Sequence, residues 1–235
     1  MFEAEAQGLR EIEKTGTVRV PRALCTGRDR SQAWIVLEYL PLAPASHAAM
    51  ATLGTQLAAL HRVTSTHFGW AHNNTIGSTP QVNTPTSDWL EFWGRWRFGA
   101  QLELAARNGH RGALQRHGAE LIERLPEFFT AYHPAASLLH GDLWGGNAGA
   151  AADGMPVIFD PAVYYGDREA DLAMTELFGG FPSAFYAAYA AAWPLDAGYR
   201  RRRDLYNLYH VLNHLNLFGG GYGAQAEAML RALLA

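Results

Sequence analysis

The sequence predicts a mixed α/β (α+β) chain that is strand-poor at its front and helix-rich at its back. Two observations predict this. Only a few short runs are apolar and β-rich, and all of them lie before residue 160. After Asp167, apolar residues recur at helical spacing almost to the end. At 235 residues, 49% of them hydrophobic, the chain can bury a substantial core as one large domain or two small ones.

The elements follow in order. Phe2, Ala6, Leu9 and Ile12 share one helical face, and Gly16 offers a stop. Two extended runs come next, Val18 to Cys25 and Ala33 to Tyr39. The second, AWIVLEYL, is nearly all apolar and reads as a strand covered on both faces, and Cys25 reads as a small buried strand residue. Pro41 and Pro44 punctuate a linker, and Met50, Leu53, Leu57 and Leu60 mark a helix from Ser46 to Arg62. Residues 63–87, rich in Thr, Asn, Gly and Pro, read as a long loop. Asp88 and Glu91 resemble a capping box opening a helix from Trp89 to Arg107, with Trp89, Trp93 and Trp96 as core packing. A helix from about Arg111 to Tyr132 should kink at Pro126. Ser137–Leu139 and Met155–Phe159 are read as neighbouring strands, and four helices follow near 167–178, 182–192, 198–218 and 223–234.

Composition narrows the partners. A net charge of −3 and a pI near 6.4 give no footprint for nucleic acid, and Arg200 to Arg203 reads as a solvated helix start. The acidic, helix-like N-terminus is unlike a secretory signal. The longest nearly apolar stretch, Ser183 to Leu195, is broken by Pro194 and too short to span a membrane. With one cysteine there is no disulfide framework. The expectation is a soluble cytoplasmic protein of open oligomeric state.

The stretch LLHGDLWGGN, residues 138–147, sets an acid and an amide in a Gly-rich loop beyond an apolar run, and VIFDP brings a second acid. Mg²⁺ keeps several waters and takes hard oxygen ligands, so Asn147 and Asp160 suffice as protein ligands if the flanking runs converge. Asp142 then remains free to orient an acceptor hydroxyl and take its proton. Such transfers depend mainly on positioning and charge neutralisation. Alone, Asp142 could equally be a turn former; the spacing to Asn147 and Asp160 favours chemistry. His140 is read as a support of the loop through hydrogen bonds, and Asp171 as a structural acid that caps a helix or braces the loop.

These residues carry a resemblance. HGDLWGGN, followed thirteen residues after Asn147 by the aspartate of FDP, resembles the catalytic loop and metal-binding aspartate of the aminoglycoside-phosphotransferase and protein-kinase-like superfamily. The tryptophan after HGDL, with YYGDREADLAMTELFGGF at 164–181 and FGWAHNNTIGSTPQVN at 68–83, resembles the fructosamine kinase (ketosamine 3-kinase) family over essentially the whole chain. The resemblance implies a protein-kinase-like two-lobe fold: a truncated N-terminal lobe over residues 1–40 and a mainly helical C-terminal lobe over 41–235. It implies ATP and Mg²⁺ as cofactors and a free or protein-linked ketosamine as substrate. It also implies Asp142 as catalytic base, Asn147 and Asp160 as Mg²⁺ ligands, and Trp144 shaping the ketosamine pocket. Glu38, Tyr39 and Leu40 would be the hinge that receives adenine, and Glu5 the acid that pairs with an ATP-positioning lysine.

One departure accompanies the match. The glycine-bearing strands and their lysine are missing, and Lys14, the only lysine, ends the first helix. A truncated sequence and a degenerate kinase both explain this; the intact catalytic loop favours the first. Weak ATP binding and little turnover are the expectation for the chain as it stands. Rival readings are a choline- or aminoglycoside-type kinase and a non-catalytic pseudokinase scaffold. A metallophosphoesterase is disfavoured because no aspartate-histidine pair lies upstream.

Overall fold

In the computed structural model, which describes residues 1–235, α1 (Phe2–Lys14) forms as the periodicity predicts, burying Ala6, Leu9 and Ile12. β1 (Ala23–Arg28) and β2 (Ala33–Leu37) pair antiparallel. Asp29 shapes their turn by accepting from the amides of Ser31 and Gln32. The expectation that β2 is covered on both faces is corrected. Ile35 and Leu37 pack inward, but Trp34 and Val36 are exposed, as is Cys25 opposite Val36. The physical reason is layer number. A two-stranded sheet with α1 against one side has one covered face, and side chains alternate between faces.

β3 (Leu42–Ala43) leads to α2 (His47–His61), whose cap Ser46 accepts from the Ala49 amide at 3.1 Å. β4 (Thr64–Ser65) follows. The supposed long loop then folds into a hairpin, β5 (Asn74–Ile76) and β6 (Thr79–Gln81), with Phe68, Trp70 and Ile76 buried. A loop can be buried only if its polar groups find partners, and the side-chain amides of Asn74, Gln81 and Asn83 supply them here.

Asp88 caps α3 (Trp89–Phe92) through the amides of Leu90 and Glu91, but Glu91 turns to Thr86 instead of completing the box. The expected single helix is interrupted by a π-helical segment, Trp93–Gly99, before α4 (Ala100–Arg107). Its wider register stacks Trp93 on Phe98 at 5.2 Å. It also brings Gly99 so near the Gly94 carbonyl that a Cβ would sit 2.5 Å from that oxygen. α5 (Ala113–Glu123) ends before Pro126, which sits in the start of a short 3₁₀ turn (Leu125–Phe128) instead of kinking a longer helix.

β7 (Ala136–Leu139) pairs with β4 and with β10 (Tyr164–Gly166). β8 (Ala148–Ala151) pairs with β3 and β9 (Pro156–Ile158). The expected pairing of the two runs around the quoted loop is therefore wrong, because β7 and β9 lie in different sheets. The small residues of AGAA, not read as a strand, take the place beside β9. The two strand ends still meet: Phe159 donates to the Asn147 carbonyl at 3.1 Å and Ala162 to that of His140 at 2.8 Å.

The four C-terminal helices fall close to their predicted bounds: α6 (Glu169–Leu177), α7 (Ser183–Ala192), α8 (Tyr199–Phe218) and α9 (Tyr222–Leu234). The arginine cluster is not wholly solvated. Arg202 is buried and forks onto Glu169 at 2.7 and 3.0 Å, tying α8 to α6. Asp167 accepts from the hydroxyls of Tyr132 and Tyr206 beside it. No helix is long and apolar enough to cross a membrane.

α2 and α7 cross in close contact at Gly54, where a Cβ would lie 2.3 Å from the Phe185 carbonyl oxygen. Alanine inside a helix usually gains about 1 kcal/mol over glycine. Here the backbone clash should reverse the sign, and Gly54→Ala should lose about 1–3 kcal/mol in urea unfolding.

Candidate active site

The chain turns at Gly141, whose φ of +83° and whose contact with the Ala162 carbonyl, 2.2 Å from a built Cβ, leave no room for a side chain. The turn is held by one buried acid. Asp171, in the first turn of α6, accepts from the amides of His140 at 2.7 Å and Gly141 at 2.8 Å, and meets His61 Nε2 at 3.2 Å. Burial alone would push the Asp171 carboxyl up. The hydrogen bond and charge of His61, with His140 and the Gly141 amide, hold it below the usual range. His61 Nδ1 accepts from Tyr189 at 2.8 Å, and Tyr189 is backed by Arg168. His140 Nε2 donates to the Phe159 carbonyl at 3.0 Å while Nδ1 accepts from the Asp142 amide. Burial keeps this imidazole neutral, which suits those two bonds.

Glu5, Asp142 and Asp160 line one cleft of about 210 Å³ together with Phe2, Asn74, Thr75 and Gly77. Asp160 stands just past β9 with φ +58°, the only non-glycine residue with positive φ. Such strain concentrates at functional sites. Asp142 is pushed up to about 7, first by burial and then by the negative charges of Asp160 and Asp171. Glu5 is raised by burial and by Asp160. Asn147 is buried and does not line the cleft, but its amide nitrogen donates to the Asp142 carbonyl at 2.9 Å. That bond assigns the remaining amide oxygen, Oδ1, as the atom free to meet a cation.

This donor set suits Mg²⁺. It offers carboxylate and amide oxygens, and the mutual repulsion of its acids would be relieved by a divalent cation. No three His, Cys, Asp or Glu side chains converge to hold a metal ion, so a cation here would rest on two carboxylates at most, the Asn147 amide and its own waters, and both nitrogens of His140 are engaged.

The other predicted residues stand apart from the cleft lining. Trp144 is 38% exposed and meets Phe178 edge-on, and Phe178 packs against His214 at 4.6 Å. Glu38, Tyr39 and Leu40 follow β2. The Glu38 side chain pairs with Arg22 at 3.4 Å and Arg19 at 4.0 Å, and Tyr39 is 86% exposed. Glu5 has no lysine partner, since Lys14 pairs with Glu11 at 3.6 Å. Asn74 and Thr75 of the hairpin also line the cleft; no chemical motif marks them, although they lie in the FGW–STPQ block. Side-chain amides dense enough to order a loop were the signal available.

A family model described as fructosamine kinase matches residues 1–235. The chain is 48% identical over its full length to a Synechocystis protein named a probable ketoamine kinase, covering 79% of that protein. It is 44% identical to the chloroplastic protein-ribulosamine 3-kinase of Arabidopsis thaliana over 98% of this chain and 71% of that protein. A crystal structure from Haemophilus somnus, provisionally named a fructosamine-3-kinase, superposes with a TM-score of 0.91 at 27% identity, covering the whole chain and 80% of its own. The fold extends to the aminoglycoside phosphotransferase APH(4)-Ia, at TM-score 0.63 and 14% identity over 97% of this chain and 82% of that one.

The raised Asp142 carboxyl has a consequence for stability. The folded protein holds this proton in a range where the unfolded chain, with an ordinary value near 3.8, has released it. The group therefore favours folding fully below about pH 4, and that contribution is lost as pH rises through about 7. Glu169, also raised to about 7 by burial, adds to the same slope. Asp142→Asn should thus flatten the fall in stability without abolishing it, gaining on the order of 2 kcal/mol over the native protein at pH 8. Urea unfolding across pH 4–8 measures the difference.

Proposed function

The chain belongs to the fructosamine kinase family, an ATP-dependent kinase family, and from that premise we propose that it phosphorylates the sugar 3-hydroxyl of ketosamines. Fructosamines and ribulosamines on free amines or protein lysines are the substrate class. Phosphorylation destabilises the adduct and frees the amine. The observation that carries this reading is the meeting of Asp142 and Asp160 in one cleft, with the Asn147 amide locked so that its oxygen is free.

In this reading Asp142 accepts a hydrogen bond from the acceptor hydroxyl and takes its proton as the oxygen attacks the γ-phosphorus of ATP. The bond from that phosphorus to the ADP oxygen breaks, and ADP leaves with the electron pair. Asn147 Oδ1 and the Asp160 carboxylate would hold Mg²⁺. Bound there, the ion neutralises phosphate charge. Asp171, through the His140 and Gly141 amides, keeps the base in place. Trp144, backed by Phe178, offers an aromatic wall for the ketosamine. Residues 1–40 form the nucleotide-side lobe, with the backbone of Glu38 to Leu40 as hinge, and residues 41–235 the lobe that holds the chemistry. The cytoplasm is the compartment that fits one free, exposed cysteine.

The assay reads ketosamine-dependent ADP release against an Asp142→Asn background. That substitution should lower it by about 10²–10⁴-fold, while ATP still raises the melting temperature of both forms. ADP release with choline or an aminoglycoside but none with fructosyl- or ribulosyl-lysine would overturn the substrate assignment. A melting temperature indifferent to ATP would identify a scaffold instead.

A further inference from the structure

Arg97 is fully buried, yet no carboxylate pairs with it. An isolated buried charge is costly, so its surroundings must compensate it. They do so with carbonyl dipoles and aromatic faces. Its guanidinium donates to the Val82 carbonyl at 2.9 Å, to the Trp96 carbonyl at 3.1 Å and to Asn83 Oδ1, and it lies 4.0 Å from the Tyr164 ring centre and 4.6 Å from that of Phe92. The π-helical segment carries it there.

From Arg97 the contacts run toward the cleft. Asn83 donates to Asn74 Oδ1 at 2.9 Å, as Gln81 does at 3.1 Å. Asn74, its oxygen thus doubly engaged, donates its amide to the Val163 carbonyl at 2.8 Å. Gln81 reaches the Ala162 carbonyl at 3.5 Å and accepts from Tyr209 at 2.6 Å. Only Pro161 separates Asp160 from Ala162 and Val163, and Asp160 holds a positive φ that is uncommon outside glycine. Arg97 therefore grips the 160–164 segment twice: through the amide chain at Ala162 and Val163, and through its face against Tyr164.

We propose that Arg97 is a positioning residue for Asp160: it latches the 74–83 hairpin, whose amides hold the carbonyls that follow Asp160 and so set where its carboxylate stands in the cleft. The metal-binding arm of this proposal rests on the kinase reading; the mechanical arm does not. Lysine keeps the charge of Arg97 but lacks the planar fork that reaches Val82 and Asn83 together. Asn74→Ala breaks the chain one link further on and leaves Arg97 in place.

Two measurements on the whole chain test it. Without ligand, amide hydrogen exchange at Ala162 and Tyr165 should be at least about tenfold faster in Arg97→Lys and in Asn74→Ala, while exchange in α9 stays as in the native protein. With ADP present, Mn²⁺ titrated by electron paramagnetic resonance should bind about tenfold more weakly to either variant. Adding Arg97→Lys to Asp160→Asn should cost nothing further, because both act on one ligand. Unchanged exchange in both variants overturns the proposal, as does a loss of Mn²⁺ affinity that is fully additive with Asp160→Asn. Faster exchange alongside no Mn²⁺ uptake by the native protein upholds the latch and sinks the kinase reading instead.

Discussion

A single buried carboxylate organises the cleft. Asp171 sits at the start of α6, where the exposed backbone amides of a helix terminus favour an anion. It spends its oxygens on the amides of His140 and Gly141 and on His61. Hydrogen bonds to a charged group contribute roughly 1.5–3 kcal/mol each, enough to hold a turn whose glycine lies in the left-handed region. Because His61 belongs to α2 and is braced by Tyr189 of α7, the same acid joins two helices to the loop that bears Asp142. The close crossing of α2 and α7 at Gly54 belongs to this arrangement, since it brings Tyr189 within reach of His61.

The helices and the chemistry of the quoted loop were legible in the sequence for different reasons. Helical periodicity is local, so α1, α2 and α6 to α9 fall close to where apolar spacing sets them. HGDLWGGN and FDP were legible because few residue types serve a phosphate-handling site, and these stand at the ends of apolar runs. Strand partners were not legible. β7 and β9 were read as neighbours, but the alanines and glycine of β8 carry no strand preference of their own and are recruited by β3 and β9. Nor does an apolar run reveal how many layers will cover it, which is why Trp34, Val36 and Cys25 were placed inside and stand outside.

The hairpin and Arg97 escaped the reading because their partners are distant in sequence and their logic is polar. Asn74, Gln81 and Asn83 look like loop residues by composition. Their amides instead saturate one another and the carbonyls of residues 162 and 163. The π-helical segment is equally silent in the sequence, since helical spacing on either side of Trp93–Gly99 suggests an unbroken helix. What could have been noticed is the pair Gly94 and Gly99, whose close approach that wider turn requires.

The cleft and its supports are opposite in electrostatic character. Asp142 and Glu5 are acids raised by burial and by Asp160, and no lysine or arginine side chain pairs with either. Such groups lower the stability of the folded state at neutral pH. The supports behind them are mostly paired: Asp171 is held low by its donors, Arg202 forks onto Glu169, and Arg97 is wrapped by carbonyls and rings with only its Nε lacking an acceptor. A frame satisfied in this way can hold unsatisfied acids at fixed separations, whereas a flexible loop would let them turn to solvent and lose their mutual repulsion. That repulsion, kept in place by the frame, is what a cation bound in the cleft would relieve.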